Sequence, residues 1–239
     1  MPKIPVDAGV PLVSKLKFIS WNVNSLRARE PLVQKLIEQE NPDILCVQEL
    51  KIDNGEYVDK FFTSYDYQTI SQTQKSYNGV SISIKNQISF KELKLSKLND
   101  HQARNNTVIF EDKNIVLLNN YFPNGNPIDS EKFDFKKQWM DDLYNEVKNL
   151  KKKYEIIITG DFNVIPKDDD AHDIKKYKKD ALAQPESRKE FYKYLNLDLL
   201  DVFENQSKNQ SYTFFDYKTY KFGKEEGIRI DFFLTSPFL

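Results

Sequence analysis

The stretch that most constrains this chain is a short apolar run ending in a polar turn. Tyr154-Glu155-Ile156-Ile157-Ile158 is followed at once by Thr159-Gly160-Asp161-Phe162-Asn163. The β-branched run reads as a buried strand, so the polar residues emerge where that strand leaves its sheet. Gly160 permits a bend and a close backbone approach to a ligand. Asp161 and Asn163 are two apart, so an extended backbone puts them on one face with Phe162 turned away. A carboxylate there can hold a cation or accept a proton, and an amide can hydrogen-bond a phosphoryl oxygen. Gly-Asp after a strand is by itself an ordinary turn. The hydrolytic reading therefore depends on its company.

The company comes from other strand ends. Residues 16–24 alternate as a strand that delivers Asn22 and Asn24, and Arg27 and Arg29 follow in a loop. Leu32, Val33, Leu36 and Ile37 recur at helical spacing, which predicts a helix over roughly 30–40 with Pro31 near its start. Ile44-Leu45-Cys46-Val47 is a second buried strand, ending in Gln48-Glu49. Strand, helix, strand with polar strand ends is a βα unit, in which ligands gather at those ends. Residues 80–84 alternate as a further strand. Residues 107–110 and 115–122 flank Glu111-Asp112-Lys113-Asn114 as a hairpin and leave Tyr121 near a strand terminus.

Trp139, Met140, Leu143, Tyr144, Val147 and Leu150 predict a long amphipathic helix whose stripe is core. A second helix is expected over 185–195. Asp168-Asp169-Asp170 reads as a solvated acidic loop, because consecutive side chains diverge. Residues 228–234 form a last strand with Asp231 in its middle. Both histidines, His101 and His172, are expected on the surface.

Composition sets the limits. The 239 residues suit one large α/β domain over 16–239, with 1–15 as a flexible leader and no Pro/Gly/Ser-rich linker. Hydrophobic residues are 39% of the chain, enough for a sizeable core, but no apolar run is long enough to span a bilayer. Cys46 is the only cysteine, which excludes an intramolecular disulfide and is compatible with a reducing cytoplasm, the expected location. A net charge of −1 gives no global attraction to nucleic acid. A polyanion binder would have to gather its lysines on one face and recruit metal ions to an acidic floor. Asn22, Glu49, Tyr121, Asp161, Asn163 and Asp231 supply that floor without cysteine or histidine, a donor set that favours Mg²⁺ or Mn²⁺ over zinc and suits phosphodiester chemistry.

Six segments in order carry a resemblance: Trp21-Asn22-Val23-Asn24-Ser25-Leu26-Arg27-Ala28-Arg29, Val47-Gln48-Glu49-Leu50-Lys51, Asn120-Tyr121-Phe122-Pro123-Asn124-Gly125, Gly160-Asp161-Phe162-Asn163, Phe214-Phe215-Asp216-Tyr217 and Arg229-Ile230-Asp231. Together they resemble the motifs of the exodeoxyribonuclease III and AP endonuclease branch of the endonuclease/exonuclease/phosphatase superfamily. The resemblance implies a four-layered α/β sandwich, two central mixed β-sheets flanked by helices, with the C-terminal strand missing. It also implies a monomeric enzyme of DNA base-excision repair, dependent on Mg²⁺ with Mn²⁺ as the alternative, acting on double-stranded DNA at abasic sites and 3′ ends.

Roles follow from the same resemblance. Glu49 is the metal ligand with Asn22 nearby, Asp161 orients or deprotonates the attacking water, and Asn163 and Tyr121 hold the phosphate. Arg27 favours DNA over a small phosphoester. Phe214 stands where many relatives place a tryptophan that packs against the abasic deoxyribose. Relatives also continue to a Ser-Asp-His segment, whose histidine is oriented by the counterpart of Asp231. Eight residues follow Asp231 here, without that segment. The expectation is a shortened nuclease with little turnover, the alternatives being a DNA-binding pseudo-nuclease and a phosphoesterase for non-DNA substrates.

Overall fold

The computed structural model describes residues 15–204, 212–215 and 226–239. Its elements begin with β1 (Phe18–Asn22), α1 (Leu26–Glu40), β2 (Ile44–Gln48), α2 (Gly55–Thr63), β3 (Tyr67–Gln72) and β4 (Val80–Lys85). They continue with β5 (Lys91–Glu92), β6 (Asn105–Phe110), β7 (Ile115–Tyr121), α3 (Glu131–Leu150), β8 (Glu155–Asp161) and α4 (Pro185–Leu195). β9 (Leu200–Asp201), β10 (Phe214–Phe215), β11 (Gly227–Ile228) and β12 (Asp231–Thr235) complete the set.

Two mixed sheets result, of order β1-β2-β4-β3 and β5-β6-β7-β8-β12-β9, beside a small ribbon of β10 and β11. β1 runs parallel to β2 and β7 parallel to β8, while the other pairings in both sheets are antiparallel. Ile44, Cys46, Ile82 and Ile84 from the first sheet meet Val108, Phe110, Leu117 and Ile157 from the second in a dry layer between them. The outer face of the first sheet buries Val33 and Ile37 of α1 and Val58 and Phe62 of α2. The outer face of the second buries Trp139, Met140, Leu143 and Val147 of α3 and Phe191 and Tyr194 of α4. Helix, sheet, sheet, helix is the expected four-layered sandwich.

Several local expectations need correction. α1 begins four residues before the expected start, because the Ser25 and Leu26 N–H groups donate to the Glu49 and Leu50 carbonyls and fix the first turn there. Arg27 and Arg29 therefore lie on a helix, not in a loop. Asp231 opens β12 instead of sitting mid-strand. The residues before it turn away, as the Arg229 N–H donates to the Asp170 carbonyl. Asp170 is buried, not solvated, with its Oδ1 accepting from Arg229 Nε at 2.7 Å. Residues 1–14 of the expected 1–15 leader, and Asp216 and Tyr217, lie outside the described residues.

Candidate active site

Side chains alternate faces along a strand, and at one end of the sandwich those facing the opposite sheet turn from apolar to polar. The sequence runs Phe18, Ser20, Asn22 on β1 and Ile44, Cys46, Gln48 on β2. It runs Leu117, Asn119, Tyr121 on β7 and Ile157, Thr159, Asp161 on β8, with Phe233 and Asp231 in the reverse sense on β12. A buried amide pair stitches the sheets where the change occurs. Gln48 Nε2 donates to Asn119 Oδ1 at 2.6 Å, and Asn119 Nδ2 donates to the Val47 and Ser81 carbonyls at 3.1 and 2.9 Å.

Beyond that pair the predicted residues converge. Asn22 Nδ2 donates to Glu49 Oε1 and to Asp161 Oδ2, both at 2.9 Å, so one amide bridges carboxylates from the two sheets. Its nitrogen faces them while its Oδ1 accepts from the Asn24 N–H at 3.0 Å. Glu49, not Asn22, thus offers oxygen outward. The Tyr121 hydroxyl lies beside Glu49 and helps hold its carboxyl below the ordinary value. Asp231 lies opposite Asp161 in the β12–β8 register. One of its carboxylate oxygens, Oδ1, is shielded from solvent and has no hydrogen-bond partner among the described residues.

The backbone is bent to make this arrangement. Glu49 and Asn163 both take left-handed conformations, with φ of 55° and 48°, a strain that persists only where surroundings impose it. At Asn163 the chain turns so that its own N–H donates to Asp161 Oδ1 at 2.8 Å, while its Nδ2 donates to the Phe122 carbonyl at 2.9 Å. Gly160 departs from its expected role. It lies within β8 at φ 125°, and a Cβ there would sit 1.9 Å from the Asn120 carbonyl oxygen. Its close approach is to the neighbouring strand, not to a ligand.

The two principal carboxylates are driven apart electrostatically. Burial would raise Glu49, but the Lys51 ammonium, whose Nζ is 2.7 Å from Oε2, together with Asn22 and Tyr121 outweighs it and holds the group below its ordinary value. Burial raises Asp161 to about 6, assisted by the Glu49 charge and resisted by the bonds from Asn22 and the Asn163 N–H. Burial and the nearby Asp161 charge push Asp231 well above the ordinary carboxylate range. Two carboxylates with separated affinities for protons are suited to different tasks. Glu49 therefore gives up its proton more readily than Asp161.

Two cations at the site carried no spacing signal that assigned them a role. Arg104, buried at the entry to β6, donates from Nη1 to the Tyr121 carbonyl at 3.0 Å and lies over the ring of that tyrosine, at 4.9 Å from its centroid. Lys51 belonged to a recognised segment without a role attached to it.

The two residues expected to touch DNA are placed differently. Arg27 is exposed and stacks on Tyr57 at 4.8 Å from the ring centroid. Phe214 is exposed on the β10–β11 ribbon, and its neighbour Thr213 accepts from the Asp231 N–H at 3.1 Å. A cavity of about 670 Å³ opens beside β1 and β12, lined in part by Phe18, Ser20, Thr213, Arg229, Asp231 and Phe233. Both histidines are exposed, and neither hydrogen-bonds Asp231.

Comparison with known proteins gives this geometry its context. Residues 19–239 match the Endonuclease/Exonuclease/phosphatase family. A DNA-(apurinic or apyrimidinic site) endonuclease of Dictyostelium discoideum is 30% identical over 231 residues, covering 93% of this chain and 63% of that protein. An exodeoxyribonuclease of Bacillus subtilis is 28% identical, covering 94% and 89%. Among solved structures, the 3′ phosphatase NExo from Neisseria bound to product DNA hairpin superposes with a TM-score of 0.84 at 31% identity, covering 93% of this chain and 87% of that one.

Proposed function

Since this chain belongs to the endonuclease/exonuclease/phosphatase family, with exodeoxyribonucleases and AP endonucleases among its relatives, we propose that it is a Mg²⁺-dependent DNA phosphodiesterase of base-excision repair. The substrate is double-stranded DNA carrying an abasic site or a 3′ end. The observation that carries this reading is the Asn22 amide held between Glu49 and Asp161, which joins the two halves of a hydrolytic site across the sandwich.

The residues fit a divalent ion. Glu49, Asp161 and Asp231 are hard oxygen donors close enough to perturb one another, and one buried Asp231 oxygen is unpartnered among the described residues. Among those residues, no three carboxylates, cysteines or histidines form an ion-caging cluster. Mg²⁺ is commonly held by one or two carboxylates, with water and substrate phosphate completing its shell. Glu49, with Asn22 orienting it, is the ligand. When bound, the ion supplies positive charge against the phosphate oxygens, and Mn²⁺ serves as its alternative. Asp161 aligns the attacking water and takes its proton, Asn163 and Tyr121 hold the phosphate, and Asp231 lies opposite Asp161 on the adjacent strand. Arg27 and Phe214 meet the DNA beside the cleaved bond. No helix among the described residues is long and apolar enough to cross a membrane. A monomer in a reducing cytoplasm completes the proposal.

Single-turnover cleavage of a duplex with an abasic-site analogue, or with a 3′-terminal phosphate, tests the reading. Slow cleavage that requires Mg²⁺ and stops with EDTA is the expected result, read under single turnover because little turnover is expected. Metal-dependent DNA binding without cleavage selects the pseudo-nuclease, and hydrolysis of inositol phosphates in its place selects a small-phosphoester enzyme. A second readout needs no DNA. Mg²⁺ at about tenfold above its Kd should stabilise the folded chain by about 1.4 kcal/mol, seen as a rise in Tm, and Glu49→Gln should remove most of that rise. An equal rise in wild type and variant would take Glu49 out of the ion's coordination.

A further inference from the structure

A lysine is almost never fully buried, yet Lys136 has no exposed surface. It occupies the inward stripe of α3 with Phe133, Trp139 and Met140, where helical spacing asks for an apolar side chain. Its Nζ reaches past the core to the ends of β8 and β7, donating to the Asn163 carbonyl at 2.5 Å and the Asn124 carbonyl at 3.1 Å. The turn after β7 closes over the lysine stem. Gly125 has φ 88°, and a Cβ there would lie 2.6 Å from Lys136 Cδ.

Both carbonyls belong to residues whose side chains face each other at the site. Asn124 Nδ2 donates to Asn163 Oδ1 at 3.4 Å. Asn163 also holds Asp161 through its N–H and takes a left-handed backbone to do so. Among the described residues no carboxylate forms an ion pair with Lys136. Burial drives its proton affinity down to about 7, resisted by the more distant Asp161 and Asp180 charges. A methionine would fill the stem's space without burying a polar head. Core packing therefore gives no reason for lysine here, whereas the two carbonyls do.

We propose that Lys136 is a positioning residue: its amino group ties the turns after β7 and β8 together and so holds the Asn124 and Asn163 amides in one arrangement for gripping the substrate phosphate. The proposal rests on the phosphodiesterase reading of the site. A displacement of about an ångström in such groups is enough to cost ~10²-fold in rate.

Lys136→Met is the test, made alone and in an Asn163→Ala background. Alone, it should lower the single-turnover rate of DNA cleavage ~10²-fold, while the Kd for the same DNA stays within about threefold, since binding along the duplex involves many other contacts. In the Asn163→Ala background it should add almost nothing, because coupled residues do not act additively. An undiminished rate alone, or an equal loss in both backgrounds, overturns the proposal. NMR of the side-chain amides in DNA-free protein gives an independent answer. Asn124 and Asn163 signals should move in Lys136→Met, and unchanged signals reject the role. If the wild-type chain leaves DNA uncut, the phosphodiesterase reading fails while the amide signals still decide what Lys136 holds. Should Lys136→Met not fold, Lys136→Gln keeps an uncharged donor and is read by the same criteria.

Discussion

Asp161→Asn should lower the single-turnover rate of DNA cleavage by ~10²- to 10⁴-fold, the range for a group that accepts a proton in the transition state. The substitution is nearly isosteric. It keeps an oxygen for the Asn163 N–H at the position now occupied by Oδ1, but it turns an amide nitrogen toward the Asn22 Nδ2 donor that now bonds Oδ2 and removes the basic site that burial has tuned to about 6. It also removes one of the repelling charges that push Asp231 upward. Relief of that repulsion offsets the lost Asn22 bond, so thermal stability should stay within about 1 kcal/mol of wild type while activity collapses. That combination separates a lost proton acceptor from a damaged fold. Loss of both together would assign Asp161 a structural role, and a rate within a few-fold of wild type would remove it from the chemistry.

Gly160→Ala should cost more stability than alanine at any other described glycine. The new Cβ would meet the Asn120 carbonyl oxygen at 1.9 Å and its carbon at 2.9 Å, both backbone atoms that cannot swing aside. The φ of 125° is strained for any L side chain. Backbone strain of about 1–3 kcal/mol and overpacking of about 1–3 kcal/mol act on a fold whose total margin is about 5–15 kcal/mol. The expected result is a loss of about 4 kcal/mol in urea unfolding, or failure to accumulate as folded protein. The register of β7 with β8, which pairs Asn120 with Gly160 and Tyr121 with Asp161, should be the first casualty. A change below about 1 kcal/mol would mean that the two strands can separate locally at little cost.

Strands whose residues serve the dry layer between the sheets were readable because burial selects isoleucine, valine and leucine. β2, β4, β7 and β8 all announced themselves this way. α4 was legible down to its bounds, as Pro185 opens it where a proline needs no hydrogen bond. α2 escaped notice although its signals are present: Asn54 caps it by accepting from the Tyr57 N–H, and Val58 and Phe62 are buried one turn apart. β3 gave little to read, since Tyr-Gln-Thr-Ile-Ser-Gln is a half-exposed edge strand with few apolar positions.

In the site, residues at strand ends could be nominated from sequence because topology brings such ends together. Arg104, Lys136 and Asp170 could not. Each acquires its role from a partner distant in the chain, as Asp170 does from Arg229, which also donates to Asp201 at 2.6 Å. No period or motif records such pairings. Glycine 160 was identified correctly as special and explained wrongly. The sequence marks where a side chain is forbidden but is silent on which neighbour forbids it.

The Asn22 bridge has a further consequence. It spans 139 positions of sequence, and it joins a sheet built from β1 to β4 to one whose strands begin at β5, since the two sheets divide the chain there. Neither half owns a working centre. Severed in the connection between β4 and β5, the polypeptide should yield two inert pieces, and the return of strand scission on mixing would report their reunion more sensitively than any measure of bulk structure.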